Sequence, residues 1–171
     1  MKTRSSWTRR AMLVPAVLGM VAVLGACQPD LWIRKTGSGG PYKGKGVINT
    51  TGQQQTVRRE QVVGNGALYQ IRMKNITAEA CSMVIKDGAI INGGTYLHKY
   101  VYEGQNITAQ VTGPNGYTIP DLAAGAKTRV ISLRVTPESG VPGNQYLLGL
   151  KAHCSSNANI ADLVRALTTI K

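Results

Sequence analysis

Three cysteines, two histidines and eight acids are the side chains of this 171-residue chain best suited to chemistry beyond packing and charge. Cys27 follows Leu24-Gly25-Ala26, one aliphatic residue and two small ones, at the end of an apolar run. A thiolate is a far better nucleophile than a hydroxyl, and small residues before it open the backbone to a peptidase, so this spacing suits S-alkylation coupled to cleavage. Zinc is a weaker use of the cysteines: adding His98 and His153 completes a ligand set in composition only, because adjacent His153 and Cys154 on a strand project to opposite faces. No metal and no other cofactor is expected.

The acids Asp30, Glu60, Glu79, Asp87, Glu103, Asp121, Glu138 and Asp162 fall at predicted strand ends and turns and read as solvated. No two recur as an acid and base pair, there is no Gly-x-Ser-x-Gly elbow, and His98 has no evident nucleophile partner. Gly39, Gly44 and Lys45 come within one residue of a phosphate-binding loop. Gly46 replaces the magnesium-holding hydroxyl, however, and no helix pattern follows. An enzyme is not expected. Tyr96, His98, Tyr100 and Tyr102 share one face of a predicted strand. They form either an aromatic binding platform, carried by Tyr96, Tyr100 and Tyr102, or the filling of a core that has no Phe; core filling is the favoured use.

The elements that position these residues begin with an export signal. Lys2, Arg4, Arg9 and Arg10 precede an uncharged run over 11–26, too short for a membrane span and interrupted by Pro15, Gly19 and Gly25. Its removal lowers the net charge from +12 to +8, with no polybasic block. Anionic lipid or wall polymer suits such a charge better than nucleic acid. Thr8-Arg9-Arg10-Ala11-Met12-Leu13 is a loose match to a twin-arginine signal. With Cys27 assigned elsewhere, Cys81 and Cys154 form the expected disulfide of an oxidising compartment. Both fall in phase with apolar residues: Cys81 with Met83 and Ile85, Cys154 with Leu148, Leu150 and Ala152.

Short alternating runs then recur, separated by turn residues. Strands are predicted at 30–35, 69–73, 81–86 (ended by Asp87-Gly88), 96–103, 108–112, 129–135 (stopped by Pro137) and 145–154. Segment 160–170 fits a strand or a helix, and Thr168-Thr169-Ile170 favours the strand. Asn49-Thr50-Thr51, Asn75-Ile76-Thr77 and Asn106-Ile107-Thr108 match glycosylation acceptors and are read as turns. The expected layout is a signal over 1–26, a tether over 27–29 and one domain over 30–171.

Leu24-Gly25-Ala26-Cys27 resembles the lipobox of bacterial lipoprotein precursors, which implies cleavage before Cys27 and a diacylglycerol on its thiol. Pro29-Asp30-Leu31, the Gly-rich stretch into Val47-Ile48-Asn49, the run Ile107-Thr108-Ala109-Gln110-Val111-Thr112-Gly113, and Leu122-Ala123-Ala124-Gly125 before residues 129–137 together resemble bacterial cell-adhesion-related immunoglobulin-like domains. That resemblance implies an all-β, Greek-key β-sandwich of about 7–9 strands. It also implies that Cys81 and Cys154 meet at one end of a shared sheet.

These readings converge on a non-catalytic envelope protein, lipid-anchored on the extracytoplasmic side of a bacterial membrane, with Arg34, Lys35, Lys43 and Lys45 facing anionic headgroups. The alternatives are a soluble secreted carbohydrate- or peptide-binding module and a subunit whose sheet edge pairs with another envelope protein.

Overall fold

The computed structural model describes residues 27–171, so the export-signal reading over 1–26 lies outside the described residues. Ten strands and one short helix follow in the order β1 (Pro29–Lys35), β2 (Thr56–Gln61), β3 (Ala67–Asn75), β4 (Cys81–Asn92), β5 (Thr95–Tyr102), β6 (Gln105–Asn106), α1 (Thr108–Thr112), β7 (Tyr117–Leu122), β8 (Ile131–Ser139), β9 (Gln145–Cys154) and β10 (Asn157–Ile170). They form two five-stranded sheets, one in the order β1-β3-β8-β5-β6 and the other β2-β10-β9-β4-β7. The fold is all-β.

Period-two burial makes the sandwich. In β3 every second residue from Ala67 to Asn75 is buried, and Tyr69, Ile71 and Met73 meet Leu31 and Ile33 of β1 and Ile131, Leu133 and Val135 of β8 in one core. Met83, Ile85, Leu148, Leu150, Ala152, Val164 and Ala166 close it from the second sheet. Each large apolar side chain buried this way contributes about 1.5–3 kcal/mol. Polar ties cross the interface as well: the Tyr69 hydroxyl lies 2.9 Å from both the Leu167 carbonyl and Thr168 Oγ1.

Several local expectations are corrected. Residues 108–112 form helix α1 rather than a strand, because Asn106 Oδ1 accepts both the Thr108 N–H (3.2 Å) and its hydroxyl (2.6 Å) and turns the chain. Ile107 and Val111, four residues apart, are then buried on one side. Asp87-Gly88 is not a turn: β4 runs on to Asn92, its pairing with β9 shifting register between Asp87 and Ile90. β8 continues past Pro137 to Ser139. Pro137 stands where the β5 pairing shifts register, so its missing N–H leaves no gap in a regular ladder. β2 and β7, charged and Pro-containing respectively, are additional strands, and 160–170 belongs to strand β10.

The three Asn-x-Thr triplets are turns of one kind. In each, the Asn Oδ1 accepts the N–H and the hydroxyl of the Thr two residues on, at 3.1 and 3.0 Å for Asn49, 3.0 and 2.6 Å for Asn75, and 3.2 and 2.6 Å for Asn106.

Candidate functional site

The cysteines gather at one end of the second sheet, with a different pairing from the one expected. Cys27 is bonded to Cys81, Cα to Cα 6.0 Å, and Cys154 is a buried free thiol. The in-phase argument for Cys81 and Cys154 holds, since both face inward, but it cannot choose among three sulfurs at one end. Cys27 enters immediately before β1 and reaches Cys81, while Cys154 pairs across the ladder with Met83, two residues further along β4. Burial pushes the Cys154 thiol up, but hydrogen bonds from the Ser156 side chain and backbone, with backbone donors at Asn157 and Cys27, bring it below the ordinary thiol value. Cys154 Sγ is 3.0 Å from Ser156 Oγ.

The tyrosine face turns inward. Tyr100 is fully buried, and Tyr96 and Tyr102 pack against the core, so Tyr96, Tyr100 and Tyr102 are not an external platform. Instead Tyr96 and Tyr100 flank a polar network between the sheets, while Tyr102 packs edge-on against Tyr117. The Tyr100 hydroxyl donates to Asp87 Oδ1 (2.6 Å), His98 Nε2 lies 3.1 Å from Asp87 Oδ2, and the Tyr146 hydroxyl meets His98 Nδ1 at 3.0 Å. Tyr96 stacks on Tyr146 with ring centroids 4.7 Å apart. Burial, reinforced by the Asp87 charge, pushes the Tyr146 hydroxyl up to about 12 and that of Tyr100 well above its usual value. The His–Asp pair is thus capped by tyrosines, and no Ser, Thr or Cys hydroxyl or thiol joins it among the described contacts. It ties the two sheets together.

The basic residues divide between two places. Arg34, Lys35 and Lys43 line a cleft of about 310 Å³ with Thr56, Val57 and Arg58. Arg34 donates to Gln70 Oε1 (2.8 Å) and its guanidinium lies 4.5 Å from the Tyr42 ring centroid. Lys45 belongs to a second cavity, about 530 Å³, lined by Asp30, Trp32, Lys74, Ile76 and Lys127. The four expected membrane-facing residues therefore do not act as one patch. Eight residues of nearly extended chain put Lys35 roughly 25 Å from Cys27, whereas Asp30, Lys74 and Ile76 lie at the Cys27 end. There the Ile76 N–H donates to the Gln28 carbonyl.

More broadly, the outer face of the first sheet is cationic. The residues that alternate with its core side chains include Arg34 on β1, Arg72 and Lys74 on β3, Arg134 on β8 and Lys99 on β5. Among the described residues the ion pairs are His98–Asp87 and Arg129–Glu103, so none of those five cations has a carboxylate partner. Lys74, Arg72, Trp32 and Lys127 were not among the expected site residues. Alternation of polar residues along β3 places Arg72 and Lys74 on one face, but the loop that brings Lys127 beside them carries no local signal.

Two expected surface acids are buried. Asp162 accepts backbone N–H groups from Leu31 (2.6 Å), Asn49 (3.0 Å) and Leu163 (2.9 Å), and the Gln55 amide at 3.0 Å. Burial pushes its carboxyl up and these four donors oppose that shift. Both oxygens of Asp30 lie 3.1 Å from the Gly46 nitrogen. Neither acid is a solvated turn residue: Asp30 holds Gly46 of the glycine-rich loop, and Asp162 joins β1, the loop before β2, and β10.

No family model matches the chain, and no curated protein matches it. Among solved structures it is similar to the N-terminal domain of PorA, with 16% identity over 82% of this chain and 97% of that one, at a TM-score of 0.50. The seventh PapD-like domain of human CEP192 has 10% identity over 99% and 96%, at a TM-score of 0.41. The major pilin subunit BcpA of Bacillus cereus has 13% over 84% and 40%, at 0.42. The fold is an immunoglobulin-like β-sandwich. Similarity at these identities describes architecture and says nothing finer about activity.

Proposed function

We propose that this chain is an exported, non-catalytic β-sandwich that works against an anionic membrane surface on the extracytoplasmic side. The observation that carries this reading is the cationic outer face of the first sheet. Arg34, Arg72, Lys74, Lys99 and Arg134 lie on it with Lys45 and Lys127 at its margin. Of the nearby acids, Asp30 is occupied by Gly46 and Glu103 by Arg129. Unpaired like charges on one face cost folding stability, and each contributes about 1 kcal/mol of attraction when held close to an anionic leaflet. That attraction fades over a Debye length of roughly 10 Å at moderate salt.

A lipid on Cys27 adds to this reading. The thioether and the Cys27–Cys81 bond exclude one another, since both use the same sulfur. In the lipidated form Cys81 and Cys154 are the remaining pair at that end of the sheet.

The unlipidated chain is expected to co-sediment with phosphatidylglycerol vesicles in low salt, to come off as salt rises, and to leave phosphatidylcholine vesicles unbound. Replacing Arg72, Lys74 and Arg134 together by Gln should weaken that binding several-fold. Equal binding to both kinds of vesicle contradicts the proposal.

One observation favours a second reading, a strand-pairing subunit. β6 pairs only with Val101 and Tyr102 of β5, which leaves the edge over 95–99 without a strand partner among the described residues, and Leu97 there is 58% exposed. Crosslinking from Leu97 in native membranes tests it; capture of lipid alone removes it.

A further inference from the structure

We infer that the cavity over Trp32 is a binding site for a phosphate group, borne either by a small phosphate ester or by a lipid headgroup. The inference rests on the anionic-surface reading above and gives it a specific pocket.

Four observations converge. First, Lys45, Lys74 and Lys127 line one cavity of about 530 Å³. Three ammonium groups stand against the single carboxylate of Asp30, which is only 4% exposed and already receives the Gly46 N–H. Second, the backbone sets two of those lysines side by side. Lys74 and Lys127 are direct antiparallel bridge partners, fixed by Thr128 N–H to the Met73 carbonyl (2.9 Å) and Asn75 N–H to the Ala126 carbonyl (2.9 Å). Like charges placed directly opposite one another destabilise a sheet, and here, unlike at the Lys86–Lys151 pair, a third lysine lines the same cavity.

Third, Trp32 gathers Lys127 and the remaining ammonium group, that of Lys45, at one ring. Lys127 Nζ is 5.2 Å and Lys45 Nζ 5.9 Å from the Trp32 ring centroid. The ring is 5% exposed, so it is a floor that positions charge rather than a surface on which a sugar stacks. Its Nε1–H is buried with no acceptor among the described residues. Fourth, Lys45 is held in place by a built turn. Gly44 and Gly46 on either side have φ of 92° and 73°, and a Cβ at Gly44 would lie 2.7 Å from the Leu31 carbonyl oxygen. That backbone is pressed against β1, which fixes the residue between the two glycines.

Lysine ammonium groups bind phosphate as point charges, and a phosphate monoester carries about −1.5 to −2 near neutral pH, close to the excess charge of this cavity. A phosphodiester headgroup carries one negative charge and balances one of the two surplus cations. Lys151, paired with Lys86 on the second sheet, lies outside both this cavity and the cationic face and serves as the internal control.

Trp7 and Trp32 are the chain's two tryptophans, and Trp7 lies in the expected signal, so in processed chain, or in a Trp7→Tyr precursor, the emission reports this cavity alone. Titration with glycerol phosphate and with inorganic phosphate should change Trp32 emission saturably, while glycerol should do nothing. Lys127→Gln and Lys45→Gln should each weaken the response about tenfold, the loss of one charge-assisted contact, and Lys151→Gln should leave it unchanged.

A response to the small phosphates identifies a free phosphate ester as a sufficient ligand. A saturable Lys127-dependent response to phosphatidylglycerol vesicles alone assigns the pocket to a headgroup. No saturable Trp32 response to phosphates or vesicles overturns the pocket, as does an equal loss in Lys151→Gln. Co-sedimentation with anionic vesicles that persists without any Trp32 response overturns the pocket while leaving the charged-face reading intact. Loss of vesicle binding as well removes both.

Discussion

At the scale of single residues, Asp162 has the greatest structural consequence. It collects donors from Leu31, Asn49, Gln55 and Leu163 and so joins β1, the loop before β2, and β10. Asp162→Asn replaces one accepting oxygen by a donor that faces other donors, and should cost about 3 kcal/mol in urea unfolding at neutral pH. A loss below about 1 kcal/mol would contradict the assigned role. Two tyrosines set an alkaline limit. Burial first of all pushes Tyr69 and Tyr146 up to about 12, whereas an unfolded tyrosine titrates near 10. The folded chain therefore keeps protons that the unfolded chain releases. Their contribution is complete below pH 10 and is lost as pH rises towards 12, at up to about 1.4 kcal/mol per pH unit for each. Unfolding midpoints at pH 9, 10 and 11 should fall progressively after the first; a flat profile contradicts this.

At the scale of elements, alternation made β3, β5, β8 and β9 legible because each has one side in the core and one in solvent. β2, with the sequence Thr-Val-Arg-Arg-Glu-Gln, shows one buried hydrophobic residue and acquires strand geometry from its parallel pairing with β10. Such pairing has no local signature. Residues 108–112 look like a strand by β-propensity, yet the turn at Asn106 and the four-residue spacing of Ile107 and Val111 favour one helical turn. Asp87-Gly88 reads as a turn, and the register shift in β4 uses the same freedom to bend a continuing strand. The candidate site was partly legible in the same way: Lys45 and the cationic character were visible. The grouping of Lys45 with Trp32, Lys74 and Lys127 depends on contacts between residues up to 95 positions apart.

At the scale of the whole molecule, two features carry the proposed use of the sandwich: the sulfurs at one end and the charge on one face. Closing the loop between Cys27 and Cys81, 54 positions apart, contributes about 4 kcal/mol in the chain-entropy model, so the pairing of Cys81 matters to stability as well as to the proposed attachment. Peptide mapping without reduction should find Cys27–Cys81 in chain that carries no lipid. Where Cys27 carries a diacylglycerol, Cys81 should be joined to Cys154. Lipidated chain with free Cys81 and Cys154 thiols contradicts the second pairing. Their burial and phase could be read from the sequence, but not the partner, because strand phase gives a side chain's direction and not its distance from two alternatives.

The most direct test of the central claim is a lysine footprint. The protein is acetylated briefly in the presence and absence of phosphatidylglycerol vesicles, and each lysine is quantified by mass spectrometry. Lys45, Lys74, Lys99 and Lys127, on and beside the outer face of the first sheet, should be protected by the vesicles. Lys86 and Lys151, paired across β4 and β9 on the second sheet, should react equally with and without them. Protection of Lys86 and Lys151 instead, or uniform reactivity at all six positions, would contradict the assignment of the first sheet's outer face to the membrane.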